Sequence, residues 1–381
     1  MKTYELPLTR DYVRDWTPVE AIREIIQNAL DYGHGVLNTT ITIDPPDDDD
    51  GHYHPDENDT DYDPEVDGAT ATIRIDSPGA SLEPRTLLLG CTSKAGDVHS
   101  IGSFGEGYKI ALLVLAREGI DAVIYHSGVT WTPSFTRSEV FNEDVLTITE
   151  EKDDEWKPQG ITFMVRGLPI ETIEKVRANT LQLQGDVGAF HRVRQGDILL
   201  ERPGKLYING LFVSETGLDY GYNVKPEFLT LERDRQTVSS FDLQWLTKDM
   251  WFDTGLPLTV AKLMEEGSKD LEYANYSCPE LVKEACYQAF IKRHPGAVVA
   301  RSQDELEQLV KHGMTNVIVV NATYAKVIQS HRGYNSEIVR KAVVEPHMRL
   351  RQFLTDNRSE MRSKSIVAFK ALIKEAEGWH S

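Results

Sequence analysis

The chain has 381 residues, 40 % of them hydrophobic and 27 % charged, with a formal net charge of −19 at pH 7. That length accommodates two or three domains and a sizeable core, and the lack of any apolar run of ~18 residues excludes a helical membrane span. Cys91, Cys278 and Cys286 show neither metal-ligand spacing nor a disulfide framework. The first residues, MKTYELPLTRDY, are too polar for a secretory signal. A cytoplasmic protein with no membrane partner is therefore expected.

A helix starts at Thr17-Pro18-Val19-Glu20. Thr17 is a cap, Pro18 suits the first turn, and Glu20 completes a capping box. Ile22, Ile25, Ile26, Ala29 and Leu30 form its apolar stripe, and Gly33 and Gly35 stop it. Glu24, Asn28 and Asp31 share another face at i, i+4 and i+7. A carboxamide oxygen can ligate magnesium without cancelling its charge. A carboxylate one turn away can orient or deprotonate a water. The plain alternative is a solvated polar face.

Strand-like VLNTTITI (36–43) and ATATIRI (69–75) flank an acidic insertion at 44–67, which holds twelve acidic residues and no Lys or Arg. Without it the net charge is −7. The insertion reads as a solvated, disordered hairpin loop. It lacks the EF-hand ligand pattern and its terminal Glu, and nothing in the chain forms an evident basic groove for nucleic acid.

The second of these strands ends in Asp76, followed by Ser77, Pro78 and Gly79. A carboxylate there can accept the exocyclic amine of adenine, or can simply serve the turn. LGCTSKAGDVHS (89–100) is small and polar, suits a lid, and offers Lys94 to a phosphate. IGSFGEGYKIALLV (101–114) places Gly102, Gly105 and Gly107 directly before a buried helix. The spacing G-x-x-G-x-G is neither the Rossmann order nor a Walker A loop. Glycines at a helix start let backbone N–H groups approach phosphate oxygens; a turn between packed elements is the alternative.

With strand GITFMVRG (160–167), this series resembles the GHKL superfamily of ATPases, which includes DNA gyrase B, Hsp90, histidine kinases and MutL. The resemblance covers about 15–170. Glu24-Ile-Ile-Gln-Asn28-Ala-Leu-Asp31 matches the first motif, E-x-x-x-N-A-x-D. It implies that Glu24 is the general base, that Asn28 ligates Mg2+ and that Asp31 lies at the nucleotide. Asp76 corresponds to the adenine-binding aspartate, and Thr162 to the threonine that supports it. Gly102, Phe104, Gly105, Gly107, Tyr108 and Lys109 fall in the third motif, which is especially like that of Hsp90. The second motif departs from D-x-G-x-G: here it reads DSPGAS, leaving Gly79 as the close-approach glycine.

The resemblance implies a Bergerat-type α/β sandwich over 1–170, a mixed and mostly antiparallel sheet with helices on one face. ATP would lie between the helices and a mobile lid. A transducer-like region at 171–290 and a small C-terminal α/β and helical region at 291–381 would follow. ETIEKVRANTLQL (171–183) reads as helical, and GDILLERPGKLYINGLFVS (196–214) as a hairpin turning at Arg202–Lys205. LERDRQ resembles the Hsp90 middle-domain loop L-N-x-S-R-E, with Arg235 as the candidate arginine finger and Arg233 and Lys225 in reserve. A surface salt bridge is the alternative for these cations.

Residues 239–295 read as mainly helical, with Trp245, Leu246, Met250, Trp251, Leu256, Leu258 and Leu263 in the core. AVVARS, QDELEQLVKHG and NVIVVN form a β-α-β pattern with a capping box from Ser302 and Glu305. Basic helices close the chain.

The expected activity is Mg2+-dependent ATP hydrolysis driving lid closure or dimerisation on an unknown protein client or nucleic-acid-associated partner. A nucleotide-gated switch with little turnover and a protein kinase of the anti-sigma type are the alternatives.

Overall fold

The computed structural model describes residues 1–33, 35–44, 69–89, 106–153, 156, 158–229, 239–311, 314–334 and 346–376. The chain is α/β and divides into two compact units, Met1–Ser239 and Ser240–Ser381.

The first unit is built on seven strands: β1 (Lys2–Thr9), β2 (Asn38–Asp44), β3 (Thr70–Pro78), β4 (Asp121–His126), β5 (Val129–Arg137), β6 (Asp144–Lys152) and β7 (Gly160–Pro169). Their order is β1-β6-β5-β4-β7-β3-β2, and every neighbouring pair is antiparallel. Three helices belong to this layer: α1 (Pro18–Tyr32), α2 (Gly107–Arg117) and α3 (Ile170–Ala178). Side chains alternate across a strand. Ile73, Ile75, Ile124, Ile161, Phe163 and Val165 share one core with Ile22, Ile25 and Ile26 of α1 and Ala111–Leu115 of α2. The alternate positions of the central strands, Arg74, Asp76, Thr162 and Tyr125, therefore face away from the helices.

The predicted capping box starts α1. Val19 N donates to Thr17 Oγ1 at 3.3 Å, and Thr17 N donates to Glu20 Oε2 at 2.7 Å. At its far end Gly33 N bonds Ala29 O. α1 and α2 pack on each other. Arg117, in the last turn of α2, donates to the carbonyls of Tyr12, Val13 and Trp16, the last at 2.5 Å, and so ties that end of α2 to the segment entering α1.

His126 ends β4 with 4 % exposure, its ring edge-on to Trp131 at 4.4 Å. Neither ring nitrogen has a hydrogen-bond partner among the described residues. Burial pushes its pKa below the ordinary 6.5, against the opposing charge of Glu150, which itself accepts from Trp131 Nε1, Lys2 and Tyr4. Above pH 6.5 both folded and unfolded states hold a neutral ring, so this contribution to stability is complete there; it is lost as pH falls below 6.5. Urea denaturation should show a decline from pH 6.5 to 5 that is shallower in His126→Phe. Equal slopes would refute the assignment.

Gly160 holds φ +134°, and a Cβ there would lie 2.3 Å from Ser77 O and 2.8 Å from Gly79 N. The start of β7 thus runs against the end of β3, where Gly79 N donates to Gln159 O at 3.1 Å. Gly160→Ala should cost at least about 1–3 kcal/mol of stability in urea titrations. A loss below about 0.5 kcal/mol, the range of ordinary surface changes, would contradict this.

Residues 171–239 fall in the first unit, which ends at Ser239. The reason is packing: Leu211 joins the core of the large sheet, and Thr180 bridges to it. After α3 a short 3-10 turn at Leu181–Leu183 replaces the end of the predicted helix. Five strands follow: β8 (Phe190–Val193), β9 (Gly196–Leu199), β10 (Lys205–Ile208), β11 (Leu211–Glu215) and β12 (Gly221–Val224). They form a mixed sheet in the order β11-β10-β12-β9-β8. The predicted hairpin at Arg202–Lys205 is not one, because β12 lies between β9 and β10. The tight hairpin is β10–β11, through Asn209 (φ 50°) and Gly210 (φ 84°), the positive-φ pair that a two-residue turn requires.

In the second unit α4 (Ser240–Asp253), α5 (Pro257–Glu266), α6 (Glu280–Arg293) and α8 (Ala322–Ser330) bury Met250, Trp251, Leu263, Cys286, Phe290 and Tyr324. Leu256 and Leu258, expected in the core, are exposed at the start of α5. β13 (Val298–Ala300), α7 (Gln303–Lys311) and β14 (Val317–Val319) make the predicted β-α-β unit, with parallel strands. Its cap is half the expected box: Glu305 N donates to Ser302 Oγ at 3.2 Å, but the Glu305 carboxylate accepts from Arg301 N at 2.6 Å. A helical pair, α9 (Pro346–Asp356) and α10 (Ser363–Ala376), packs Phe353 on Phe369. Among the described residues no helix is long and apolar enough to cross a membrane.

Candidate functional site

At 3.6 residues per turn, Glu24, Gln27, Asn28 and Asp31 form one stripe on the side of α1 opposite Ile22, Ile26 and Ala29. Such a stripe ordinarily meets water. Here Glu24 is 1 % exposed, Gln27 is 0 % exposed, Asp31 is buried and Asn28 is half-buried. Arg23 Nη1 lies 3.4 Å from Glu24 Oε1. Asn28 Nδ2 donates to Glu24 O at 2.8 Å; because only the amino group can donate, Oδ1 is the amide atom that projects from the helix.

Gln27 is the residue that the sequence did not single out. Neither its Oε1 nor its Nε2 has a hydrogen-bond partner among the described residues. Leaving a buried polar group unpaired costs about 1–3 kcal/mol, so this amide calls for a partner beyond the described residues. The signal in the sequence was its i+3 relation to Glu24.

α2 begins at Gly107 with no side-chain cap, so the first N–H groups have no side-chain acceptor of the usual kind. Its first turn is anchored by side chains. Tyr108 Oη donates to Thr86 O at 2.8 Å and lies 3.0 Å from Thr86 Oγ1, and burial pushes its pKa up. Lys109 is wholly buried, and its ammonium donates to Leu88 O. Both side chains thus brace the helix start against the segment before it.

Asp76 and Thr162 do come together. Thr162 Oγ1 donates to Asp76 Oδ1 at 2.5 Å. The same carboxylate is clasped by Arg74 Nε, 2.9 Å from Oδ2, and the guanidinium lies 5.0 Å from the Trp156 ring centre. By strand alternation this group stands on the sheet face opposite the one that bears Ile73 and Ile75. The positions facing the helices at that level are Ser77 and Ile161, which pair across β3 and β7. Gly79 follows with φ +78° and open space around its α-carbon.

Lys94, Gly102, Phe104, Gly105, Arg233 and Arg235 lie outside the described residues, as do Cys91 and nearly all of the acidic insertion. Lys225 donates to Arg194 O at 2.8 Å and lines a groove of about 510 Å³ with Gly35, Arg192, Asp197 and Asn223. That groove belongs to the five-stranded sheet.

No protein-family model matches the chain. A protein of Mycoplasma pneumoniae (strain ATCC 29342 / M129 / Subtype 1), described as an uncharacterized protein, is 23 % identical over 238 residues, covering 60 % of this chain and 89 % of that protein.

Proposed function

We propose that the first unit binds a purine nucleoside triphosphate with Mg2+ beside the polar stripe of α1 and the start of α2, and that it hydrolyses the terminal phosphoanhydride as a GHKL-type ATPase. The observation that carries this reading is the burial of Glu24, Gln27 and Asp31 opposite the core stripe, with the Gln27 amide unpaired at both ends among the described residues.

Each residue then has a task. Glu24, held beside Arg23, orients and deprotonates the attacking water. Asn28 offers Oδ1 to the metal, which suits a hard cation that prefers neutral oxygens, phosphate and water. The metal supplies charge neutralisation at the phosphates. The uncapped N-terminus of α2, starting at Gly107, offers backbone N–H groups and the positive end of the helix dipole to phosphate oxygens. Gln27 completes its hydrogen bonding on the bound nucleotide or its water. A cytoplasmic location, dimerisation on ATP and an unknown client belong to the same proposal.

Calorimetric titration of the full chain with ATP and magnesium, followed by phosphate-release assays, tests it. Binding with slow turnover is expected. Binding with no turnover would favour a nucleotide-gated switch, and no binding would reject the proposal.

A further inference from the structure

One face of the five-stranded sheet carries a row of polar side chains that borders a cavity. Arg192 Nε donates to Asp197 Oδ1 at 2.9 Å, Asn223 Nδ2 donates to Asp197 Oδ2 at 3.1 Å, and Asn223 Oδ1 accepts from Gly210 N at 2.7 Å. Backbone pairing sets the row, because Arg192 on β8 lies opposite Asp197 on β9, and Asp197 lies opposite Asn223 on β12. Both Asp197 oxygens are thereby engaged. Arg192 spends only its Nε; its two terminal nitrogens have no partner among the described residues. Its guanidinium lies 5.2 Å from the Phe190 ring centre. Lys225 reaches the same place from the end of β12, where its backbone N donates to Gln195 O at the β8–β9 turn. The Lys225 ammonium donates to Arg194 O at 2.8 Å and forms no ion pair among the described residues.

The cavity encloses about 510 Å³, within the range of about 300–1,000 Å³ that small-molecule sites occupy. The charged residues on its wall are Arg192, Lys225 and Asp197, two cations against one carboxylate. An excess of cation in a chain of net charge −19 is a local arrangement, not a reflection of composition. A guanidinium offers a fork of donors that matches the paired oxygens of a carboxylate or phosphate, and an ammonium adds a point charge with further donors. The rest of the wall includes Leu181, Val187 and Phe190, the last 42 % exposed. Such a surface stacks against a flat apolar body.

We infer that this cavity binds a small organic anion, a carboxylate or phosphate monoester on a planar apolar body, with its head at Arg192 and Lys225 and its ring on Phe190. The inference does not rest on the nucleotide reading, since neither Glu24, Asn28 nor Gly107 lines the cavity. Calorimetric titration of the full chain with phenyl phosphate, benzoate, inorganic phosphate and benzyl alcohol tests it. Phenyl phosphate or benzoate should bind, and the tighter of the two identifies the head group. Inorganic phosphate and benzyl alcohol, each only half of such a ligand, should bind at least about tenfold more weakly. Lys225→Gln and Arg192→Gln should each weaken the tighter ligand by about 10–100-fold, the worth of a hydrogen bond to a charged group. Phe190→Ala should weaken it by about 2–10-fold, the worth of an aromatic pair. Thermal denaturation checks that each variant folds. Magnesium with the imido analogue of ATP should leave the affinity unchanged. Unaltered affinity in both cation variants would overturn the inference. So would displacement by the ATP analogue, equally tight binding of inorganic phosphate, or no binding of either aromatic anion.

Discussion

On the proposed ATPase reading, Glu24→Gln should lower phosphate release at saturating ATP by a factor of about 10²–10⁴, the range for removing a general base, while ATP affinity should change little. The substitution keeps the shape of a side chain that is 1 % exposed, so no cavity opens in α1. It removes the group proposed to take the proton from water. It also removes the negative charge beside Arg23 Nη1 at 3.4 Å, a pair that involves a buried acid and a mostly buried base. Thermal denaturation run in parallel separates a catalytic loss from a folding loss. Unaltered turnover would place the base elsewhere, and lost ATP binding in a folded variant would make Glu24 a binding group.

Asn28→Ala removes the amide oxygen proposed to ligate magnesium. Nucleotide affinity in the presence of magnesium should fall by at least the about 10–100-fold that loss of a mere supporting group costs at metal sites. Affinity in excess chelator should stay the same. The variant should fold, because alanine is the best helix former and Asn28 is only half-buried. It does lose the Asn28 Nδ2 to Glu24 O bond at 2.8 Å, a local contact worth about 0.5–1.5 kcal/mol. Titrations with and without magnesium measure the effect, and an identical ratio in wild type and variant would remove Asn28 from the metal.

Features fixed by a few consecutive residues were legible in the sequence. The capping box of Thr17 and Glu20, the polar stripe of α1, and the β-α-β unit near 298–319 all depend on short-range spacing, and they stand where spacing puts them. What failed depended on partners distant in the chain. Arg202-Pro203-Gly204-Lys205 is a strong local turn, but β12 inserts between the strands on either side of it. Asp76 and Thr162, paired from motif order, meet through a 2.5 Å hydrogen bond across β3 and β7. Arg74, which clasps the same carboxylate, was not singled out because its place beside Asp76 follows from strand alternation rather than from a motif. Gln27 was missed because an apolar stripe explains burial on only one side of a helix, and its burial on the other side needed the fold.

Arg117 fastens the last turn of α2 to the carbonyls of Tyr12, Val13 and Trp16, ahead of α1. α2 is thereby tied at both ends to segments outside itself, by Arg117 to the entry of α1 and by Tyr108 and Lys109 to Thr86 and Leu88. A displacement of α2 relative to α1 would therefore have to carry the Thr86–Leu88 segment with it.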